Sequence, residues 1–114
     1  MPLISLNTTK TITKEAEAEL RREFGEKIAL LPGKTEDWLM LRFTDGCRMA
    51  FRGKAAPDMA MIEVSLLGSA SNEAYEKLTA ALTEVVSSVL KINTDMVYIK
   101  YSETEHWGWN GSNF

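Results

Sequence analysis

One cysteine and one histidine in 114 residues leave this chain short of the groups that staple or metallate small proteins. Cys47 has no partner for an internal disulfide, so nothing requires an oxidising compartment, and the two residues together cannot make a Cys/His zinc cluster. Clustered lysine and arginine are missing too, and the net charge is -3. Phosphate backbones demand a concentrated positive patch, so a nucleic-acid surface is not expected. No apolar run approaches the ~20 residues of a membrane span. The first residues also lack a basic stretch followed by an apolar segment of signal-peptide length, and the expectation is a soluble, cytoplasmic protein.

What is present is an ordinary globular composition, 45 % hydrophobic and 25 % charged. At this length the chain is one domain, residues 1–114, burying roughly 60–70 % of its unfolded surface. Leu3 to Leu6 reads as a strand that starts almost at Pro2. Thr13 is a plausible N-cap, and Ala16, Leu20, Phe24, Ile28 and Leu31 recur at helical spacing until Pro32-Gly33 stops the pattern. Trp38–Phe43 reads as a second strand, Asp45-Gly46 before Met49–Phe51 as a hairpin turn, and Met59–Leu67 as a third strand ending at Gly68. Ser71 or Asn72 caps a second helix whose buried stripe is Ala74, Leu78, Ala81, Leu82, Val85 and Val89. Lys91 complements its dipole and Asn93 offers a left-handed exit, before a last strand, Met96–Tyr101.

The order is therefore strand-helix-strand, a hairpin region, then strand-helix-strand again. Right-handed crossovers make each pair of strands parallel, which gives an α/β (α+β) fold: one four-stranded sheet with both helices on one face. All three later strands carry large apolar groups on both alternating sets, so the other face needs a cover. Copies of the same chain packed sheet to sheet in a closed ring supply it economically.

Two features carry chemistry. Pro2 directly after Met1 becomes a secondary amine rooted in a strand if Met1 is trimmed, and such an amine is a possible base. Half of the aromatic residues lie between Tyr98 and Phe114, with Trp107, Trp109 and Phe114 among Gly, Asn and Ser. That segment is either an anchor for the terminus or an apolar wall for a flat ligand.

From end to end the sequence resembles the macrophage migration inhibitory factor family of the tautomerase superfamily. The residues that carry the likeness are Met1-Pro2 with Asn7-Thr8, Gly33-Lys34, Met49-Ala50-Phe51 with Gly53 and Pro57, and Ser65-Leu66. Tyr75 with Lys77-Leu78, Val97-Tyr98-Ile99 with Tyr101, and Gly108-Trp109-Asn110 with Ser112 and Phe114 complete it. The resemblance implies a homotrimeric barrel with active sites between subunits. It also implies a cofactor-independent keto-enol tautomerase acting on phenylpyruvate-like compounds, with Pro2 as general base and Lys34 holding the substrate carboxylate and the enolate. Ser65 and Leu66 would present backbone groups to the ligand. Tyr98 would enter from the adjacent subunit, and Trp38, Trp107, Trp109 and Phe114 would line the mouth. A retained Met1 would make the Pro2 nitrogen a non-basic amide, so activity requires its removal.

Departures from the family pattern bear on this. Lys100 stands where relatives carry asparagine; as a second cation it would depress the Pro2 pKa or favour a doubly anionic substrate, unless it faces solvent or pairs with Glu103. Asp58-Met59-Ala60-Met61 replaces a Cys-x-x-Cys pair, so thiol-exchange activity is not carried over. Arg42, Arg48 and Arg52 do not match the arginine pairs of the superfamily's other reactions. Relatives that act as cytokines without a signal peptide supply the competing expectation, a receptor-binding interaction protein with a vestigial pocket.

Overall fold

A computed structural model describes all of residues 1–114. The strands are β1 (Pro2–Thr8), β2 (Met40–Thr44), β3 (Ala60–Leu67) and β4 (Val97–Thr104); the helices are α1 (Lys14–Lys27) and α2 (Asn72–Leu90). Gly108–Trp109 (β5) and Ser112–Asn113 (β6) close a small separate hairpin. The main sheet runs β2-β1-β3-β4, with β1 parallel to β2, β3 parallel to β4, and the central pair β1 and β3 antiparallel. Each crossover helix thus returns its strand parallel to the first, and the two halves join back to back.

The helix boundaries follow local chemistry. Thr13 and Ser71 occupy extended backbone ahead of the helices, and each side chain accepts from the N–H three residues on, Ala16 and Ala74. In α1 the polar side is braced by Arg22 and Lys27 against Glu19, Glu23 and Glu26. The helix stops at Lys27 and continues as a 3-10 turn, Ile28–Leu30, before Pro32. The left-handed exit from α2 falls on Lys91, φ 58°, and not on Asn93, which is extended. The free positive charge thus sits on the residue that makes the turn.

Alternation in the strands decides the layers. Ile4 and Leu6 of β1, with Ile62, Val64 and Leu66 of β3, face the helices and are at most 1 % exposed. They meet Leu20, Phe24 and Ile28 from the first crossover and Leu78, Leu82 and Val86 from α2. Each such side chain contributes roughly 1.5–3 kcal/mol by leaving water, and Phe24 also lies against Phe43 at 6.3 Å.

Two further sequence expectations need correction. Trp38 belongs to a 3-10 turn, Glu36–Trp38, ahead of β2 and not to the strand. Asp45-Gly46 turns the chain but opens no hairpin: Gly46 and Cys47 donate backbone N–H groups to Lys10 and Thr8, and Asp45 accepts from the Ile12 N–H. Met49–Phe51 reaches only a tight turn closed by Phe51 and Lys54. Asp-Gly here caps a crossing over the end of β1, a use that short-range pattern does not distinguish from a strand reversal. The uncovered sheet face carries a large apolar side chain on each of β2, β3 and β4, as expected, but mixed with polar ones. Met40, Met61 and Tyr98 share it with Ser5, Asn7, Arg42, Glu63, Lys100 and Ser102.

Candidate active site

Pro2 is the first residue of β1, buried, and in register with Leu66 of β3, while Leu3 lies opposite Ser65. A proline costs nothing here because the first residue of a strand needs no ladder N–H. The chain before it is also held: the Leu67 N–H donates to the Met1 carbonyl at 3.1 Å. The terminus is thus an added rung of the sheet and not a loose end.

Lys34 approaches from the turn after α1, where Gly33 takes φ 78°. Its Nζ donates to the Leu67 carbonyl at 2.8 Å, which places an ammonium group over the same rung. The effect reaches the α-amine. The Met1 ammonium is pushed below the ordinary α-amino range, first by burial, then by the Lys34 charge and by hydrogen bonding with Lys34. A cation at this terminus is disfavoured on two counts.

Beside the terminus opens a cavity of about 900 Å³. Met1, Pro2 and Leu3 line it together with Trp38, Leu39, Met40, Leu41 and Phe43, and Trp107, Gly108 and Trp109 of the C-terminal segment. Glu17, Arg21, Glu36 and Asp37 supply its polar rim. Trp38 meets Trp109 and Phe114 edge-on, with ring centroids 5.1 and 6.1 Å away, and Trp109 stacks on Phe114 at 6.2 Å. The β5–β6 hairpin, turned through Asn110 and Gly111 at positive φ, brings these rings back over the mouth. The aromatic tail is therefore both an anchor and a wall.

Of the residues singled out by sequence, one chain brings together Pro2, Lys34, Leu66, Trp38, Trp107, Trp109 and Phe114. Ser65 lies one residue further along β3, its side chain on the uncovered face. Tyr98 and Lys100 do not reach this cavity in the single chain: they sit on edge strand β4, beyond β3, at the far side of the sheet from β2. There Tyr98 meets Phe51 edge-on at 5.0 Å and Lys100 pairs with Glu63 at 3.5 Å. Glu103, considered as the Lys100 partner, instead accepts from the Tyr75 hydroxyl. Leu67 was missed. Its role is carried by its backbone, and only strand register, which no composition signal reveals, puts it between Met1 and Lys34.

A duplicated strand-helix-strand sheet with a proline-bearing first strand and a lysine over its terminus defines a protein of the tautomerase superfamily fold. The chain belongs to the macrophage migration inhibitory factor family, whose family model matches residues 1–114. Among solved structures, Leishmania major MIF2 superposes with a TM-score of 0.93 at 26 % identity, over 100 % of this chain and 97 % of that one. The macrophage migration inhibitory factor homologue from Prochlorococcus marinus gives 0.88 at 27 % identity over 98 % of both chains. The Toxoplasma gondii factor gives 0.90 at 18 %, over 98 % of this chain and 99 % of that one. No curated protein sequence is significantly similar to the chain.

Proposed function

We propose that this chain is a cofactor-independent keto-enol tautomerase of phenylpyruvate-like aromatic 2-keto acids, with Pro2 as the base once Met1 has been removed. The observation that carries this reading is geometric: Pro2 is buried at the start of β1 and the Lys34 ammonium stands over the same rung, an environment that lowers the pKa of the Met1 ammonium and would likewise oppose a protonated amine on Pro2. A secondary amine kept neutral near pH 7 is a competent base, and general acid-base catalysis works best when the pKa lies near the operating pH. The Pro2 nitrogen takes a proton from the carbon next to the keto group, and the electron pair moves onto the carbonyl oxygen as an enolate. The same proton, returned to that oxygen, gives the enol and regenerates the amine. Lys34 faces the developing negative charge and the carboxylate, and the indoles of Trp38, Trp107 and Trp109 hold the aromatic ring.

The active form in this reading is a homotrimer. Its support is the uncovered sheet face, where Met40 is 69 % and Tyr98 58 % exposed. A neighbouring copy would then bring Tyr98 and Lys100 to the cavity that they cannot reach in their own chain. The test is a phenylpyruvate tautomerisation assay on protein whose N-terminus has been read by intact mass. Pro2→Gly, which keeps an amine but loses the ring, should reduce kcat/KM by about 10²–10⁴-fold. Equal rates for the two proteins would instead support the interaction-protein reading.

A further inference from the structure

The cavity beside the terminus is larger than a single-ring keto acid needs. Its volume of about 900 Å³ lies near the upper end of the ~300–1,000 Å³ that encloses drug-sized ligands. Charge is also divided along it. At the Met1 end stands the Lys34 ammonium, hydrogen-bonded to the Leu67 carbonyl at 2.8 Å. Lys34 follows the C-terminus of α1, whereas Glu17 and Arg21 on the lining lie about 15 and 9 Å of helix ahead of its last residue, Lys27. Glu36 and Asp37 border the same cavity from the 3-10 turn that carries Trp38.

All four rim residues are exposed, and none of them forms an ion pair; the pairs on α1 are made by Arg22 and Lys27 instead. Three carboxylates against one guanidinium leave the rim negative, opposite in sign to the Lys34 end. The walls between are Trp38, Leu41, Phe43 and Trp109, and low-dielectric walls focus the field of the charges at either end. An organic cation near the rim is attracted twice, by the carboxylates and by the indole faces beside them. A second carboxylate there is repelled. We infer that the cavity selects aromatic 2-keto acids whose ring carries a cationic group, such as an aminomethyl, at the end away from the keto acid. The reaction on such a substrate rests on the tautomerase reading above; the binding preference does not.

Three inert acids test it: 3-phenylpropionate carrying aminomethyl, hydrogen or carboxylate at the para position. None has a keto group, so their binding makes no use of a base. Titration against the tryptophan fluorescence of the trimmed full chain should show the aminomethyl acid binding about five- to tenfold more tightly than the parent, and the dicarboxylate more weakly than either. The spread should narrow at high salt. Glu17→Gln with Asp37→Asn leaves one rim carboxylate against Arg21 and should bring the three affinities within about twofold. Lys34→Met should weaken all three together. The matching keto acids then read turnover. The binding order as expected with turnover of none of them would support this preference and count against the tautomerase reading alone. Turnover with equal affinities, tightest binding of the dicarboxylate, no binding of any acid, or a preference that survives in the double variant would overturn the inference.

Discussion

The Lys34 ammonium group and the Leu67 carbonyl meet at 2.8 Å, on the strand residue whose N–H holds the Met1 carbonyl. One β3 residue thereby fixes both the terminus and the cation that faces it. Lys34→Met removes that charge while keeping most of the apolar stem. The Lys34 charge lowers the pKa of the Met1 amine; acting in the same sense on the Pro2 amine of trimmed protein, its loss should move the acid limb of kcat/KM to higher pH. The sign is fixed: the base works deprotonated, so a raised pKa means less base at any pH on that limb. The rate at neutral pH should fall by about 10²–10³-fold, the scale for removing one donor to a developing oxyanion. A limb that stays in place would show that Lys34 does not face the amine in solution.

Retention of Met1 is the sharper control. An acylated Pro2 nitrogen has no basicity, while Met1 itself presents a primary amine one residue further from Leu66. Protein with Met1 fully retained should show less than about 1 % of the turnover of trimmed protein, with unchanged circular dichroism. Intact mass on both samples makes the comparison quantitative. Comparable turnover would move the base elsewhere in the cavity.

Much of this was legible in the residues. Helical spacing and the Thr13 and Ser71 caps located both helices, and the repeated strand-helix-strand order led to the parallel pairs and to helices on one face. Local pattern failed where the chain is used over long range. Asp45-Gly46 has the chemistry of a hairpin, yet the groups that satisfy it, Lys10, Thr8 and Ile12, lie on another element. Trp38 looked like a strand residue because it adjoins one. At the site, Pro2 and Lys34 were drawn together by family likeness, whereas their physical link runs through the backbone of Leu67, on which side-chain identity has no bearing. Tyr98 and Lys100 lie outside the single-chain cavity because strand order puts them on β4, two strands away from β1, and periodicity does not encode strand order.

Tyr75 gives a prediction about stability at high pH. Its hydroxyl donates to the Glu103 carboxylate, and its pKa is pushed up to about 12, by partial burial first and then by Glu103. A phenol whose folded pKa exceeds its unfolded value of about 10 contributes stability in full below that pH and loses it as the pH rises through the folded value. Tyr75→Phe should cost about 0.5–1 kcal/mol near pH 8, the scale of an exposed hydrogen bond. The difference between the two proteins should shrink toward pH 12. Urea titrations across that range read both quantities, and a constant difference would show that the hydroxyl does not titrate with the fold.

Gly25 is buried in the last turns of α1 against the side chain of Glu36. A Cβ at that position would overlap the Glu36 carboxylate and come within 2.7 Å of its Cδ. Alanine gains about 0.8–1 kcal/mol over glycine in a helix interior, so the sign of Gly25→Ala depends on whether Glu36 can swing away. It forms no ion pair and its residue is exposed, so rotation into solvent is cheap. The variant should melt about 2–5 °C higher, with phenylpyruvate turnover within about twofold, since the turn that carries Trp38 is closed by the Glu36 backbone carbonyl and not by its side chain. Gly25→Ala with Glu36→Ala separates the two terms. If the single variant is destabilised and the double variant restores it, the Glu36 side chain is pinned against the helix; if both are destabilised, the tight approach lies with the helix itself and the turn beside Trp38 must shift to accept any side chain there.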